Sequence, residues 1–407
     1  MESVVLQPFH EIHARLVANA PRDFTRFLYD RIDWRARLIA LVGPRGVGKT
    51  TLLLQHVART LPEVERGLYL SADHVRVQAL GLYEIGATFF RRGGEVLLVD
   101  EVHRYPGWTT EIKSLYDAFP AGRVVLSGSS AVELLRGGAD LSRRLVAYRL
   151  PGMSFREFLN LELGLDLPAV DLATLLGDHV ARARTILARL GGTVLGRFDA
   201  YLDHGVYPFY REGVELFPIR LANVIEKVVS DDIPSVMGVR PGTIPHLRKL
   251  LHLVASSEPF VPNIERLASA LGVSRPSVYQ YLEHLHRAGL LALLPPQGRG
   301  LKAARKPAKV CLDNANLFPA LIGHAESRER VGTLREAFFA HQAGSLGALA
   351  AGARADFVLP GGQVVEVGGA SKGLRQLSGE PAGWLALDDI EVGEGRRVPL
   401  WLFGFLY

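Results

Sequence analysis

The chain has 407 residues, of which 48% are hydrophobic and 22% charged, with a formal net charge of +5. That length calls for two or three domains, and the composition excludes a largely disordered or fibrous chain. One cysteine, Cys311, excludes an intrachain disulfide and a cysteine-based zinc site, and the mildly basic balance permits a nucleic-acid partner without requiring one.

No stretch approaches the ~20 apolar residues of a membrane span. The N-terminal MESVVLQPFHEIHARL carries an early Glu and no long apolar core, so a secretory leader is not expected and a reducing cytoplasm is. Apolar positions at helical spacing (Ile12, Leu16, Val17, then Phe24, Phe27, Leu28) predict one or two helices before residue 37. Trp34 is expected to pack there, with walling of an adenine ring as the alternative.

The apolar run Leu38 to Val42 predicts a short buried strand, and Leu52, Leu53, Leu54 and Val57 predict a helix after Thr50. Between them, Gly43-Pro44-Arg45-Gly46-Val47-Gly48-Lys49-Thr50-Thr51 fits G-x-x-x-x-G-K-[ST] at every fixed position. Glycines allow backbone angles that turn successive amides toward a polyphosphate, and the following helix starts with open N–H groups and a positive dipole end. This loop is therefore expected to bind nucleotide phosphates. Lys49 is expected on the β/γ oxygens and the Thr50 hydroxyl on Mg²⁺.

Strands alternating with helices from 67 to 150 predict a parallel sheet with crossover helices. The expected strands are Gly67–Leu70, Glu95–Val99, Arg123–Ser127 and Leu145–Leu150. In Glu95-Val-Leu-Leu-Val-Asp100-Glu101, two carboxylates close a buried run at the strand end where open α/β sheets bind ligands. Asp100 is expected in the Mg²⁺ shell and Glu101 to polarise a water against the γ-phosphate. Ser127, at the tip of the next strand, is expected either to sense the γ-phosphate or to belong to a serine-rich turn in which Ser129 or Ser130 caps a helix at 131–135.

After Leu150 the pattern turns helical. Ser154-x-x-Glu157 has the form of a capping box, and helices are expected near 153–163, 167–190 and 193–205 as a small lid. Tyr201 to Tyr210 reads as an aromatic turn packed between helices. Asn263 and Ser274 read as N-caps, and Gly272 and Gly289 as C-caps, of a helix-turn-helix. Leu290 to Leu294 then reads as the first strand of a wing, followed by cationic Arg299, Lys302, Arg305, Lys306 and Lys309. DNA contact through Arg275, Arg287, Lys302, Arg305 and Lys306 and a purely structural or protein-contact role both remain open.

The last hundred residues return to β/α. A helix is expected at 332–340, and strands at 355–359 and 363–368 are joined by a Pro-Gly-Gly turn. Asp356 and Glu366 have the layout of a PD-(D/E)xK nuclease core, but Gly368 stands where a catalytic lysine belongs. A non-catalytic scaffold is expected, with a metal-dependent nuclease using Lys372 as the alternative. The terminal VPLWLFGFLY reads as a last buried strand.

GPRGVGKTT, VDEVHRYPGW, LSGSS, LSRRL, PGMSFREFL, ADFVL and VVEVGG together resemble the blocks of a prokaryotic family. Those AAA-superfamily ATPases join a P-loop domain to a winged helix and a C-terminal nuclease-like domain of unknown function. The resemblance implies ATP and Mg²⁺ at Gly43, Gly48, Lys49, Thr50, Asp100 and Glu101, with Ser127 as sensor. It aligns Arg144 with the arginine of a Leu-x-Gly-Arg block, although Arg143 replaces the glycine. The expected organisation is an α/β P-loop sheet (1–152), a helical lid (153–214), a winged helix (215–310) and a small nuclease-like α/β domain (311–407). The expected function is Mg²⁺-dependent ATP hydrolysis driving rearrangement of the C-terminal modules, with a homo-oligomer as an open option. An ATP-responsive DNA-binding switch or a nuclease is the alternative.

Overall fold

Two parallel-sheet strands explain why the first unit folds as it does. Leu38–Val42 (β1) and Val96–Asp100 (β3) are buried along their whole length, as an unbroken apolar run must be when helices cover both faces of a sheet. Around them the chain runs Glu2–Ala18 (α1), β1, Lys49–Thr60 (α2), Gly67–Ser71 (β2), Val75–Leu80 (α3), Leu82–Arg91 (α4), β3, Trp108–Ala118 (α5), Arg123–Gly128 (β4) and Val146–Arg149 (β5). The sheet order is β2-β3-β4-β1-β5, with every pair parallel. Leu68, Leu97 and Leu126 from three strands meet Ile85 of α4 and Ile112 and Leu115 of α5 in one core. The computed structural model describes residues 2–128, 141, 143–257, 261–298, 306–377, 380 and 383–407. The expected cap at Ser129 or Ser130 and the cations Arg299, Lys302 and Arg305 lie outside the described residues.

The chain divides into two compact units, residues 1–151 with 234–238, and residues 152–233 with 239–407. In the first, Trp34 packs against its neighbours Tyr29 and His56. Its ring stacks on His56 at 3.8 Å and 10°, and its indole N–H donates to the Tyr29 carbonyl. Burial pushes the His56 imidazole down to about 4, so it is a neutral stacking partner at neutral pH.

The second unit opens with the helix Phe155–Leu163. Its Ser154/Glu157 capping box forms as the sequence requires, with both reciprocal bonds present. Asn263 and Ser274 cap the helices Ile264–Leu271 and Arg275–Arg287, and Gly272 and Gly289 follow them in the left-handed region. Leu291–Leu294 (β6) and Lys309–Leu312 (β7) then pair antiparallel. A mixed five-stranded sheet closes the unit: Ala350–Ala351 (β8), Phe357–Val358 (β9), Val364–Gly368 (β10), Gly383–Leu387 (β11) and Arg397–Pro399 (β12), ordered β12-β11-β10-β9-β8. Its β10, β11 and β12 are mutually parallel, whereas β9 runs antiparallel to both neighbours. Among the described residues, no helix is long and apolar enough to cross a membrane.

Two segments differ from their sequence reading. The expected last strand is confined to β12, and Leu400–Phe405 winds into a 3₁₀ helix. All six of those residues are buried, which the two-faced alternation of a half-covered strand would not give. Trp401 and Phe405 pack on Phe155, and Phe403 packs on Phe339. The expected aromatic turn begins instead as a π-helical turn, Tyr201–Gly205, continuing the helix Val194–Ala200. That widened turn leaves carbonyls available, and Asn316, distant in sequence and fully buried, takes them. Its amide donates to the carbonyls of Tyr201 (2.9 Å) and Leu202 (2.8 Å), and its oxygen accepts from the Val206 N–H at 2.8 Å.

Leaving those groups without their partner costs roughly 1–3 kcal/mol for each buried orphan. Asn316→Ala is therefore expected to destabilise the second unit by about 2–4 kcal/mol, read as a lower denaturation midpoint. An unchanged midpoint would show that the π turn closes without its asparagine.

Candidate nucleotide site

The strand order brings three C-terminal strand ends side by side. β4 lies between β1 and β3, and its Ser127 is level with Leu41 of β1. Gly43 leaves β1 where the backbone passes close to β5. A Cβ there would sit 2.1 Å from the Leu150 carbonyl oxygen, so only glycine fits. Gly46 (φ 85°) and Gly48 (φ 95°) take left-handed angles, the backbone conformation that gathers successive amides on one side of a loop. Helix α2 then starts at Lys49, and Gly48 at its cap position brings no side chain to cover the first-turn amides. Pro44, Arg45 and Gly46 line the partly exposed part of the loop, Val47 is fully buried, and Thr51 lies in the first turn of α2.

Lys49 is buried, and its ammonium donates to the carbonyls of Gly43 (2.9 Å) and Pro44 (2.8 Å), holding it over the loop. Three hydroxyls converge on the Asp100 carboxylate. Thr50 donates to Oδ2 at 2.6 Å, Tyr69 donates to the same oxygen at 2.9 Å, and Ser127 donates to Oδ1. The Glu101 amide reaches Asp100 Oδ1 (3.1 Å) and the Ser127 hydroxyl (3.3 Å). Burial and the adjacent Asp100 carboxylate push the Tyr69 phenol well above its ordinary range, so it keeps its proton and serves as a donor. Glu101 itself adopts φ 52°, uncommon for a non-glycine residue. Its carboxylate lies 3.4 Å from His103 Nε2 and 3.8 Å from the Arg45 guanidinium.

The structure thus brings together Gly43, Gly48, Lys49, Thr50, Asp100, Glu101 and Ser127. It does not bring Arg144 to them. Arg144 pairs with Asp117 at 3.1 Å and lies over the Tyr116 ring, at the end of α5 where Arg37 also docks. Arg37 precedes β1, so this is the end of the sheet opposite the phosphate loop. Sequence reasoning missed Tyr69, His103 and Arg26. Buried Arg26 donates to the Val47 carbonyl (2.5 Å) and the Pro151 carbonyl (2.9 Å), tying the loop to the chain leaving β5. Nothing around Arg26 in sequence marks it. Tyr69 was detectable as a polar-tipped residue near the end of a strand neighbouring β3.

The donor set suits the chemistry that the loop implies. A hydroxyl and a carboxylate 2.6 Å apart are hard oxygen ligands, the kind that Mg²⁺ takes in ones and twos while its other positions hold water and phosphate. Parallel strands in this order, a glycine loop running into a helix, and an acidic strand end facing it define a P-loop nucleotide-binding domain.

Comparison with known proteins agrees. Residues 35–159 match a family model described as an AAA domain, and residues 196–328 match a domain of unknown function, DUF8612. The chain is 29% identical over 287 residues to an uncharacterized protein of Methanocaldococcus jannaschii, an alignment covering 68% of this chain and 60% of that one. Among solved structures it is similar to a variant of RuvB from Thermotoga maritima, with 18% identity, a TM-score of 0.31, and coverage of 73% and 92% of the two chains. It is also similar to Orc1 of Aeropyrum pernix solved with DNA, with 15% identity, a TM-score of 0.31, and coverage of 79% and 94%. The first unit is an AAA-type P-loop domain.

A second polar cluster lies within the C-terminal unit. Lys309 of β7 bridges Asp356 (3.0 Å) and Glu336. Lys372 reaches Glu366 at 2.6 Å and donates to the Val367 carbonyl at 2.6 Å, with Asp356 at 4.0 Å. Its side chain runs over Gly368, where a Cβ would meet Lys372 Cδ at 2.1 Å. Lys372, four residues further on, thus fills the space beside Gly368. The remaining carboxylate oxygens accept backbone amides, Glu366 from Asp356 N–H and Asp356 from Val367 N–H. Among the described residues, no group of three His, Cys, Asp or Glu is arranged to hold a metal ion. Of the cations expected to meet DNA, Arg275 pairs with Glu265 (2.5 Å) and Arg287 with Glu283 (2.6 Å).

Burial, and then the neighbouring Asp356 charge, push Glu336 up to about 7. Burial alone would lower Lys309, but the two carboxylates outweigh it and raise its pKa. A carboxyl whose folded pKa exceeds its unfolded value gives stability that is complete below about 4.5 and is lost as pH rises through about 7. Glu336→Gln is therefore expected to flatten the fall in unfolding free energy between pH 5 and pH 7.5, measured by denaturant titration. A variant whose stability declines as steeply as the parent's would mean that Glu336 is ionised throughout.

Proposed function

We propose that the first unit binds ATP with Mg²⁺ and hydrolyses it, using the resulting change to rearrange the C-terminal modules. One observation carries the reading: the Thr50 hydroxyl and Asp100 carboxylate meet at 2.6 Å beside a loop whose lysine is held over it. Magnesium held by Thr50 and Asp100 would supply charge neutralisation on the β and γ oxygens. Lys49 exchanges the Gly43 and Pro44 carbonyls for those phosphate oxygens when nucleotide enters. Glu101, one residue beyond Asp100, accepts a proton from water as its oxygen attacks the γ-phosphorus, and the bond to the β-bridging oxygen breaks to leave ADP and phosphate. Ser127, bonded to Asp100 and the Glu101 amide, holds the two acids in register.

The helices Ile264–Leu271 and Arg275–Arg287 with the β6–β7 pair have the element order of a winged helix, and this is the module we propose is repositioned. The chain passes between the units at 151–152, 233–234 and 238–239, so a change of conformation in one reaches the other along the backbone.

Lys49→Ala is expected to abolish nucleotide binding, and Glu101→Gln to preserve binding while lowering ATP turnover about 100-fold or more, the usual contribution of a positioned base. Phosphate release and fluorescent-nucleotide titration measure the two effects. Parental turnover in both variants would refute the assignment.

A further inference from the structure

The chain leaves the first unit at Pro151, and every residue from Leu150 to Met153 is hydrogen-bonded there. Before the boundary, the Leu150 N–H donates to the Val42 carbonyl at 2.8 Å and the Pro151 carbonyl accepts from Arg26 Nη2 at 2.9 Å. Beyond it, the Gly152 carbonyl accepts from the Tyr407 hydroxyl at 3.0 Å. The Met153 N–H donates to the Val206 carbonyl at 2.8 Å, and its carbonyl accepts from the Tyr201 hydroxyl at 2.6 Å. The first pair of bonds lies within the first unit and the others within the second, so the crossing is a strut held at both ends rather than a slack linker. Its first-unit end is held from the phosphate loop. Val42 and Gly43 lie against Leu150, and buried Arg26, which holds Pro151, also donates from Nη1 to the carbonyl of Val47.

We propose that Arg26 is a positioning residue that couples occupancy of the phosphate loop to the chain crossing at 151–152. The inference rests on the ATPase reading above and names the residue through which the loop's state leaves the first unit. The Val47–Gly48 peptide is trans, so its C=O and its N–H point in opposite directions. With the Val47 carbonyl turned to Arg26, the Gly48 N–H is turned away from the guanidinium, to the side on which the left-handed glycines gather the loop amides. A charged donor on a carbonyl polarises its peptide and makes the N–H of that peptide a stronger donor. A phosphate oxygen that accepts from Gly48 polarises the same peptide in the same sense, so the bond from Arg26 to Val47 strengthens when the loop fills. The guanidinium is a rigid planar fork, and fixing one arm on Val47 fixes the other on Pro151. Whatever else Arg26 touches, these two bonds make a filled loop stiffen the strut and an empty loop relax it.

Amide hydrogen exchange over residues 43–50 and 150–155 tests the coupling in the full chain, without nucleotide and with a non-hydrolysable ATP analogue and Mg²⁺. The chains compared are the parent, Arg26→Ala, Arg26→Lys and Tyr407→Phe, with melting temperatures confirming that each is folded. In the parent, the analogue is expected to slow exchange in the loop and also, about tenfold, at Leu150 and Met153, the effect of roughly one charge-assisted bond. Arg26→Ala is expected to keep the response of the loop while that of 150–155 falls within about twofold of none. Arg26→Lys keeps a cation without the fork, and the same uncoupling is expected of it, so the test stands if the alanine variant does not fold. Tyr407→Phe loosens the strut from its far side. It is expected to raise exchange at Met153 without nucleotide yet leave the nucleotide response at Leu150, a split that mere loosening by an Arg26 variant would reproduce and loss of coupling would not. A full response at 150–155 in Arg26 variants that bind the analogue, no such response in a parent that binds it, or parallel loss of loop and strut responses in both Arg26 variants would overturn the coupling and leave the ATPase reading standing. Absence of nucleotide binding by the parent would instead remove that reading and this inference together.

Discussion

Asp100 is the residue on which the first unit's geometry turns. Its carboxylate accepts hydroxyls from Thr50 on α2, Tyr69 on β2 and Ser127 on β4, so one buried charge ties together four adjacent elements of the sheet and loop. Such a charge is costly to desolvate, and several charge-assisted donors are what make its burial tolerable. The consequence is positional. Thr50 cannot drift from the strand end without breaking its bond to Asp100, and Ser127 cannot shift without releasing the Glu101 amide that bonds to both. The left-handed backbone at Glu101 is a strained conformation held in place by this same set of bonds.

Much of that geometry is written locally. The glycine spacing, the unbroken apolar runs and the acidic pair place the loop, the sheet and the strand-end carboxylates, because each depends on near neighbours and on the periodicity of one element. The caps at Ser154, Asn263 and Ser274 are legible for the same reason. What escapes is long-range pairing. Arg26 reaches Val47 and Pro151, and Asn316 reaches the carbonyls of Tyr201 and Leu202, across spans that no window of sequence joins. Arg144 fails from the opposite cause. Its motif locates it in the chain, whereas the fold carries it to the opposite end of the sheet, where it pairs with Asp117. The terminal apolar run misleads because burial on every side looks the same in sequence whether the backbone is extended or wound.

The two acidic clusters of the molecule show how similar inventories come to opposite uses. Around Asp100 the side-chain partners are hydroxyls, joined by the Glu101 amide, and a hydroxyl can turn a lone pair toward an incoming cation without leaving a charge behind. Lys49, the nearby ammonium, bonds to loop carbonyls that phosphate oxygens can replace. Around Asp356 and Glu366 the partners are ammonium groups and backbone amides. There a divalent ion would have to displace Lys309 or Lys372 and leave a half-buried lysine beside it, a larger electrostatic penalty than rotating a hydroxyl. The C-terminal carboxylates are thus balanced internally, by two lysines and two backbone amides.

This difference also bears on where chemistry and movement divide in the chain. A site whose internal partners are exchangeable can respond to a ligand, and the Gly43 and Pro44 carbonyls that hold Lys49 are partners of that kind. A site closed by its own lysines already has its charges matched within the chain. Lys49 in the first unit holds carbonyls that another oxygen can replace, whereas Asn316 and Lys309 in the second hold partners of their own chain. Only the element whose ground-state contacts are close in energy to the ligand's own can switch, and only an element without such alternatives moves as a body.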